Sequence, residues 1–420
     1  MPVTRNRIEL SDGIYLTTIK DPKFKTNSVT VRFITKLAPA TNTAYALACS
    51  TAVTANRHFP TRTALTKELT KLYGAALGVS TFKLGDTQIN TISAKCICDE
   101  YALDGEAVTA QTVALLLDCL FEPVLEDGGF AQNYFLLRRQ ELIDNIAGEI
   151  NDKRGYALMR AGERIFEGEA AALTSYGTIA AAQTLTAQET YRAYCEMLRT
   201  AAIEITIAGG GDFSEACDTI AAMFSQLDRA CAFDGNYGAA SPLKSKVVRV
   251  TETLDVNQCK TVHAFKSDCV NLYAMKVFCA MLGGTPFSKL FTNVREKLSL
   301  CYYCAARSVD NKGVLLIDSG VEKKNISLAE TEILKQLEAL TQSDFTDAEL
   351  DDTKLFITDG YRSNNDDLSS LSAWYFLQTT RGTDYTPEDA IGFVNAVTRA
   401  DIIAAAQSCQ LDTVYVMENA

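Results

Sequence analysis

One order of elements is written twice in this chain, and that repetition limits the folds open to it more than any other feature. LYGAALGVSTFKLGDTQINTISA, residues 72–94, and LCYYCAARSVDNKGVLLIDSG, residues 300–320, each follow a helical stretch and each read as a hairpin. Gly85 and Asp86 mark the first turn, and Asn311 to Gly313 the second. Thr186 with Glu189, and Thr398 with Asp401, have capping-box spacing. Each opens a helix that runs into a strand, Ile203 to Ile207 in one case and Thr413 to Met417 in the other. The economical reading is a duplicated α+β domain, each half a largely antiparallel sheet backed by helices.

The rest of the chain can be placed around that repeat. Strands are expected at Ile14 to Ile19 and Ser28 to Lys36, the second alternating Val29, Val31 and Phe33 on one face. Val108, Thr112, Leu115, Leu116, Cys119 and Leu120 fall at helical spacing within 106–121, and a second helix is expected over Gln132 to Ala147. Between Cys231 and Lys246 the composition turns to AFDGNYGAASPLKSK, small and polar, the best linker in the chain. After it come a strand at Val247 to Thr251, a helix from Leu272 to Leu282, a break at Gly283 and Gly284, and a helix ending near Leu298. The expected division is therefore 1–230, a linker over 231–246, and 247–420, in keeping with a prior of about 150 residues per domain.

Composition narrows the function. A net charge of -12 offers no basic patch for a phosphate backbone, which argues against nucleic acid. The opening MPVTRNRIEL has no apolar core of a signal peptide and no later apolar run reaches membrane-spanning length, so a cytoplasmic protein without membrane insertion is expected. Thirteen cysteines in that setting read as reduced thiols. Cys301 and Cys304 form a CxxC, which by itself lacks the second ligand pair of a metal site. Gly209 to Gly211 follow a strand without the Lys-Ser or Lys-Thr of a phosphate loop, and read as a turn.

Three segments carry a resemblance to a known family. RAGERIFEGEAAALTSYGT (160–178), IEITIAGGGDF (203–213) and above all LGGTPFSKLFTNVREKLSLCYY (282–303) resemble the pitrilysin or insulinase family of zinc peptidases, in the half-size form that pairs subunits as mitochondrial processing peptidase does. That resemblance implies zinc held by a helix bearing HxxEH, whose glutamate activates the bound water, with a further glutamate on a later helix. With the family's proline aligned on Pro60, HxxEH falls on Ala46, Leu47, Ala48, Cys49 and Ser50, and the distal glutamate near Asn145. None of those chemical groups is present. The chain holds only two histidines, His58 and His263, and no HxxEH or HExxH can be written with either. The carboxylates near position 145 are Glu141, Asp144 and Glu149, read as a solvated helix face. His58 reads as a loop residue and His263 as part of a strand.

The resemblance also implies a substrate-contacting Arg and Tyr seven residues apart, which match Arg295 and Tyr302; Ser299 stands where the family usually has glycine. In two-subunit members each zinc site faces the second half of the opposite subunit. The expectation is thus a non-catalytic subunit, without zinc, that pairs with an active pitrilysin-family peptidase and helps bind a peptide or small protein. Among inactive members it resembles a group associated with modification of translation elongation factor P. The alternatives are a peptidase with an altered metal site built on 141–149, a metal-free hydrolase using Cys49, and a scaffold without peptide ligand.

Overall fold

A computed structural model describes residues 3–419. The chain forms two compact units, and neither is contiguous in sequence. The first comprises Met1–Ala147, Leu173–Tyr237 and Leu368–Ala373; the second comprises Gly148–Ala172, Gly238–Asp367 and Trp374–Ala420. The passage from one to the other at Tyr237 and Gly238 lies inside the small, polar stretch 231–246.

The strands in chain order are β1 (Thr4–Ser11), β2 (Ile14–Lys20), β3 (Thr26–Lys36), β4 (Ala76–Leu84), β5 (Thr87–Ile97), the short pair β6 (Leu125–Glu126) and β7 (Gly129–Phe130), and β8 (Ala202–Gly209) in the first unit. The second unit has β9 (Val248–Leu254), β10 (Cys259–Lys266), β11 (Cys301–Val309), β12 (Val314–Val321) and β13 (Gln410–Asn419). The first sheet runs β1-β2-β8-β3-β5-β4, the second β9-β13-β10-β12-β11. In each the only parallel neighbours are β2 with β8 and β13 with β9. Setting β2 on β9, β8 on β13, β3 on β10, β5 on β12 and β4 on β11 superimposes the two orders, with β1 as the one addition. The fold is the duplicated α+β unit that the repeated hairpins and capping boxes imply.

Helices cover one face of each sheet because apolar side chains repeat on that face at both periods. In the first unit Val29, Val31, Phe33, Ile203, Ile205 and Ile207 pack under the helices Asn42–Ala52, Val108–Phe121 and Ala187–Thr200. In the second, Phe265, Leu315 and Ile317 pack under Leu272–Cys279, Ile326–Thr341 and Arg399–Gln407. Both capping boxes form, Thr186 with Glu189 and Thr398 with Asp401. The helix expected over 272–282 ends at Cys279 and continues as a wider turn over Ala280–Gly284.

The opposite sheet faces are also covered, which alternation in β3 does not reveal. In the second unit the helix Lys153–Ile165 places Ala157, Ala161 and Ile165, one every fourth residue, against Val262, Ala264, Tyr415 and Met417. In the first unit Arg32 of β3 is buried on that side and donates to Thr206 Oγ1 at 3.2 Å and to Ser372 Oγ at 3.3 Å. Ser372 belongs to the short segment that this unit takes from the far end of the chain. β3 is therefore buried on both faces, as a central strand must be when helices sit on each side.

Candidate functional site

The helix Asn42–Ala52 holds the positions on which the resemblance sets HxxEH, and its composition makes it a core element. Apart from Ser50 every one of its residues is buried. Small side chains at Ala44, Ala46, Ala48 and Ala52 let it pack closely. Its start is clamped by the 173–177 segment: Asn42 Nδ2 donates to the Thr174 carbonyl at 3.0 Å, and Gln88 Nε2 donates to the carbonyls of Asn42 and Ser175 at 2.7 and 2.6 Å. Gly177 has φ +80, and a Cβ there would overlap Thr43 Oγ1. The glycine of the SYGT stretch is thus required by close approach.

At the three chemical positions nothing is available for a metal. Ala46 carries a methyl group. Cys49 is 0% exposed, and burial pushes its thiol well above the ordinary range, so the thiolate that binds zinc is disfavoured. Ser50 Oγ donates to the Leu47 carbonyl at 2.9 Å, a bond inside its own helix.

The helix Gln132–Gly148 presents the other carboxylates separately. Asn145 and Asp144 are exposed, and Asp144 accepts from Gln140 Nε2 at 2.8 Å. Glu141 pairs with Arg138 at 2.8 Å, while Arg138 Nε also donates to Thr54 Oγ1 at 2.8 Å just beyond the Asn42–Ala52 helix. Glu149 lies past this helix, in the second unit, with its carboxyl raised by burial. His58 is exposed on a loop whose amides at His58 and Phe59 are held by Asn56 Oδ1 at 3.0 and 2.7 Å. His263 is buried on β10 with Nε2 3.7 Å from Glu330 Oε2. Among the described residues, no three or more His, Cys, Asp or Glu side chains stand together as a metal site. The residues at 46, 49 and 50 do not fit the zinc that the resemblance implies, because tetrahedral zinc needs imidazole, thiolate or carboxylate donors.

Arg295 and Tyr302, by contrast, are presented outward by unusual backbone. The segment Leu290–Lys297 winds as a π-helix, and its end is marked by Leu298 N–H bonded to the Asn293 carbonyl at 3.2 Å and Leu300 N–H to Val294 at 3.1 Å. Gly283, in the preceding wide turn, lets this segment approach β11: a Cβ there would lie 2.6 Å from the Ala306 amide nitrogen. Arg295 lies over the Phe291 ring, 4.5 Å from its centre, with Nε 3.7 Å from Glu296. Ser299 then turns the chain with φ +51, the left-handed region that a glycine enters without strain. Tyr302 sits in a β-bulge: Cys301 opposes Val321 and Tyr303 opposes Gly320, so Tyr302 is the extra residue of β11. It is 76% exposed. A bulge re-aims one side chain without breaking the ladder, and here it turns the phenol to solvent.

Next to it lies a cluster that the motif comparison did not single out. Arg154 stacks on the Tyr303 ring at 4.3 Å and meets Asp318 at 2.6 Å, and Asp318 also binds Arg307 at 2.8 Å. The available signal was Gly320, a glycine in an otherwise large-residue strand: its Cβ would come within 2.7 Å of Tyr303 Cε1.

Residues 184–355 match the family model described as "Peptidase M16 inactive domain". The sequence is 27% identical over 410 residues to a Bacillus subtilis protein described as "Probable inactive metalloprotease YmfF", covering 97% of this chain and 96% of that one. A conserved protein from Enterococcus faecalis V583 has the same fold at TM-score 0.90 and 27% identity, with 99% of each chain covered. The structure described as peptidase M16 inactive domain from Pseudomonas fluorescens follows at TM-score 0.78 and 15% identity, covering 99% of this chain and 98% of that one. The class these define is the half-size pitrilysin-type chain, two α+β units in one polypeptide. Over residues 184–355 the chain is similar to the inactive kind of M16 domain, and its sequence carries no HxxEH; the matched segment contains Arg295 and Tyr302 and excludes 46–50.

Proposed function

We propose that this chain is a cytoplasmic, non-catalytic subunit that pairs with an active, zinc-bearing relative and helps hold its peptide or small-protein substrate. The observation that carries this reading is the contrast between two places in one chain. The helix 42–52 is sealed core, whereas Tyr302 is turned into solvent by a bulge and Arg295, seven residues before it, is partly exposed. A phenol 76% exposed keeps its hydroxyl free to bond a ligand or partner group while its ring offers apolar contact. Thirteen unbridged cysteines suit a reducing compartment.

The chemistry available to the pair is donation. A guanidinium and a phenol can both hydrogen-bond a peptide carbonyl, and more strongly the oxyanion that develops on it when a metal-activated water attacks. In this arrangement the water, the metal and the general base all belong to the partner, and this chain supplies orientation and charge stabilisation. The altered-metal alternative has no donor set among the described residues to rest on. The Cys49 alternative requires a thiol that can ionise, and burial opposes it.

The test is a reconstituted pair of this chain with an HxxEH-bearing relative, assayed on one peptide with assembly followed by size. Arg295→Ala or Tyr302→Phe is expected to lower kcat/KM by about a hundredfold, the worth of one donor to a developing oxyanion, with the complex intact. Unchanged kcat/KM in both variants would reduce the two residues to packing and leave a scaffold role.

A further inference from the structure

The bulge that exposes Tyr302 has a second effect, on the two cysteines that flank it. In a regular strand residues three apart point to opposite faces, which would separate Cys301 from Cys304. Here Cys301 opposes Val321 and Cys304 opposes Ser319, and those two partners are two residues apart on β12 and so share a face. The extra residue therefore shifts the phase and turns both thiols to the helix-covered side. Cys304 is part of the buried core there, and Cys301 packs against it half-exposed. The two cysteines are thus neighbours on one face of the strand. Their partners lie two residues apart on β12, about 6.6 Å along a strand, which is at the upper end of the Cα separations a disulfide spans.

The two sulfurs are also chemically unequal. Cys301 has access to solvent, and the neighbouring Cys304 thiol first, then the charge of Arg295, draw its thiol below the ordinary value despite partial burial. Cys304 is pushed well above, first by the neighbouring Cys301 thiol and then by burial. An accessible sulfur on the solvent side of a buried one is the arrangement of an attacking and a resolving thiol, and the opposite directions of their shifts agree with it.

We propose that Cys301 and Cys304 form a thiol–disulfide exchange site for low-molecular-weight disulfides, in which Cys301 attacks, Cys304 resolves, and the resulting bridge spans the Tyr302 bulge. In the first step the Cys301 thiolate forms a bond to one sulfur of the small disulfide, whose S–S bond breaks to release one thiolate. In the second, Cys304 loses its proton and attacks the Cys301 sulfur, expelling the second small thiolate. The net change is two cysteine thiols and one small disulfide giving one internal disulfide and two small thiols, with the chain oxidised by two electrons. The bridge fixes the backbone on both sides of Tyr302, so the redox state of the pair sets how that phenol is presented. The inference does not depend on a peptide ligand, and its test has no peptide in it.

The full chain is incubated with glutathione disulfide at neutral pH, quenched with an alkylating reagent and digested with trypsin. Lys297 and Arg307 bound a peptide, LSLCYYCAAR, that contains these two cysteines and no other. The expected product is this peptide two hydrogens lighter and unalkylated, while Cys195, the exposed cysteine, stops at its glutathione adduct. Cys304→Ser is expected to accumulate the Cys301 adduct, and Cys301→Ser to leave Cys304 unmodified. Should either variant fail to fold, the wild-type peptide decides alone. A persistent adduct on Cys301 in the wild-type chain, or a peptide still fully alkylated after Cys195 has reacted, would overturn the proposal.

Discussion

Arg154 Nε lies 2.6 Å from Oδ2 of Asp318, a carboxylate only 2% exposed, and that bond fastens a helix from the first half of the sequence to the sheet of the second unit. Asp318 keeps a second guanidinium, Arg307 at 2.8 Å, and Arg154 covers the Tyr303 ring. The helix Lys153–Ile165 is held by this polar anchor at its start and by its alanine stripe along its length.

Arg154→Ala is accordingly expected to destabilise the chain by about 1–2 kcal/mol, the range for a charge-assisted bond whose cationic partner is partly solvated. Arg307 remains to neutralise Asp318, which keeps the loss below that of stranding a buried charge. The urea midpoint measures it, and trypsin should then cut first within 153–165. An unchanged midpoint would mean that the alanine stripe alone holds the helix.

Ser299 stands where the family usually has glycine, and it pays for that with φ +51. A non-glycine residue in this region costs about 1–2 kcal/mol, of which glycine's greater unfolded freedom returns part. Ser299→Gly should therefore stabilise the chain by roughly 0.5–1 kcal/mol, read as a higher thermal midpoint. Destabilisation would show that the serine is not strained as its backbone implies.

Acid should weaken the second unit through Glu330. Its carboxyl is held down to about 2 from an ordinary 4.5, by His263, whose Nε2 lies 3.7 Å away, and by the two-pronged Arg249 pair at 2.6 and 3.0 Å. A carboxylate depressed in the folded state contributes stability that is fully present above its unfolded value and is lost as pH falls through the folded one. The contribution is thus complete above pH about 4.5 and declines towards pH about 2. Glu330→Gln should flatten the pH dependence of unfolding in that window while leaving its slope near neutrality. Identical slopes in the two proteins would exclude the carboxylate as the cause.

The purified chain is expected to hold no stoichiometric zinc and to leave unstructured peptides intact. Elemental analysis and a chelator titration followed by thermal unfolding measure this directly. The expected midpoint is the same with and without chelator, since Ala46, buried Cys49 and internally bonded Ser50 offer no ligand. One tightly held zinc with chelator-sensitive cleavage would make the chain an active metallopeptidase.

Sequence alone determined the duplication, because it is written in local terms. Capping boxes, hairpin turns at Gly85 and Gly313, and apolar periodicity act over a few residues, and each half repeats them. It also determined the loss of HxxEH, since the two histidines, His58 and His263, stand far apart in the sequence and cannot share one motif. Tertiary structure decided what depends on register and on distant partners. That Cys301 and Cys304 face one way while Tyr302 faces solvent follows from one unpaired residue in the β11 ladder, which no composition encodes. That β3 is buried on both sides, and that residues 148–172 and 368–373 belong to a different unit from their neighbours in sequence, follows from long-range packing. An alanine stripe or a buried arginine announces that a surface will be covered. Which surface covers it is settled only when the whole chain has folded.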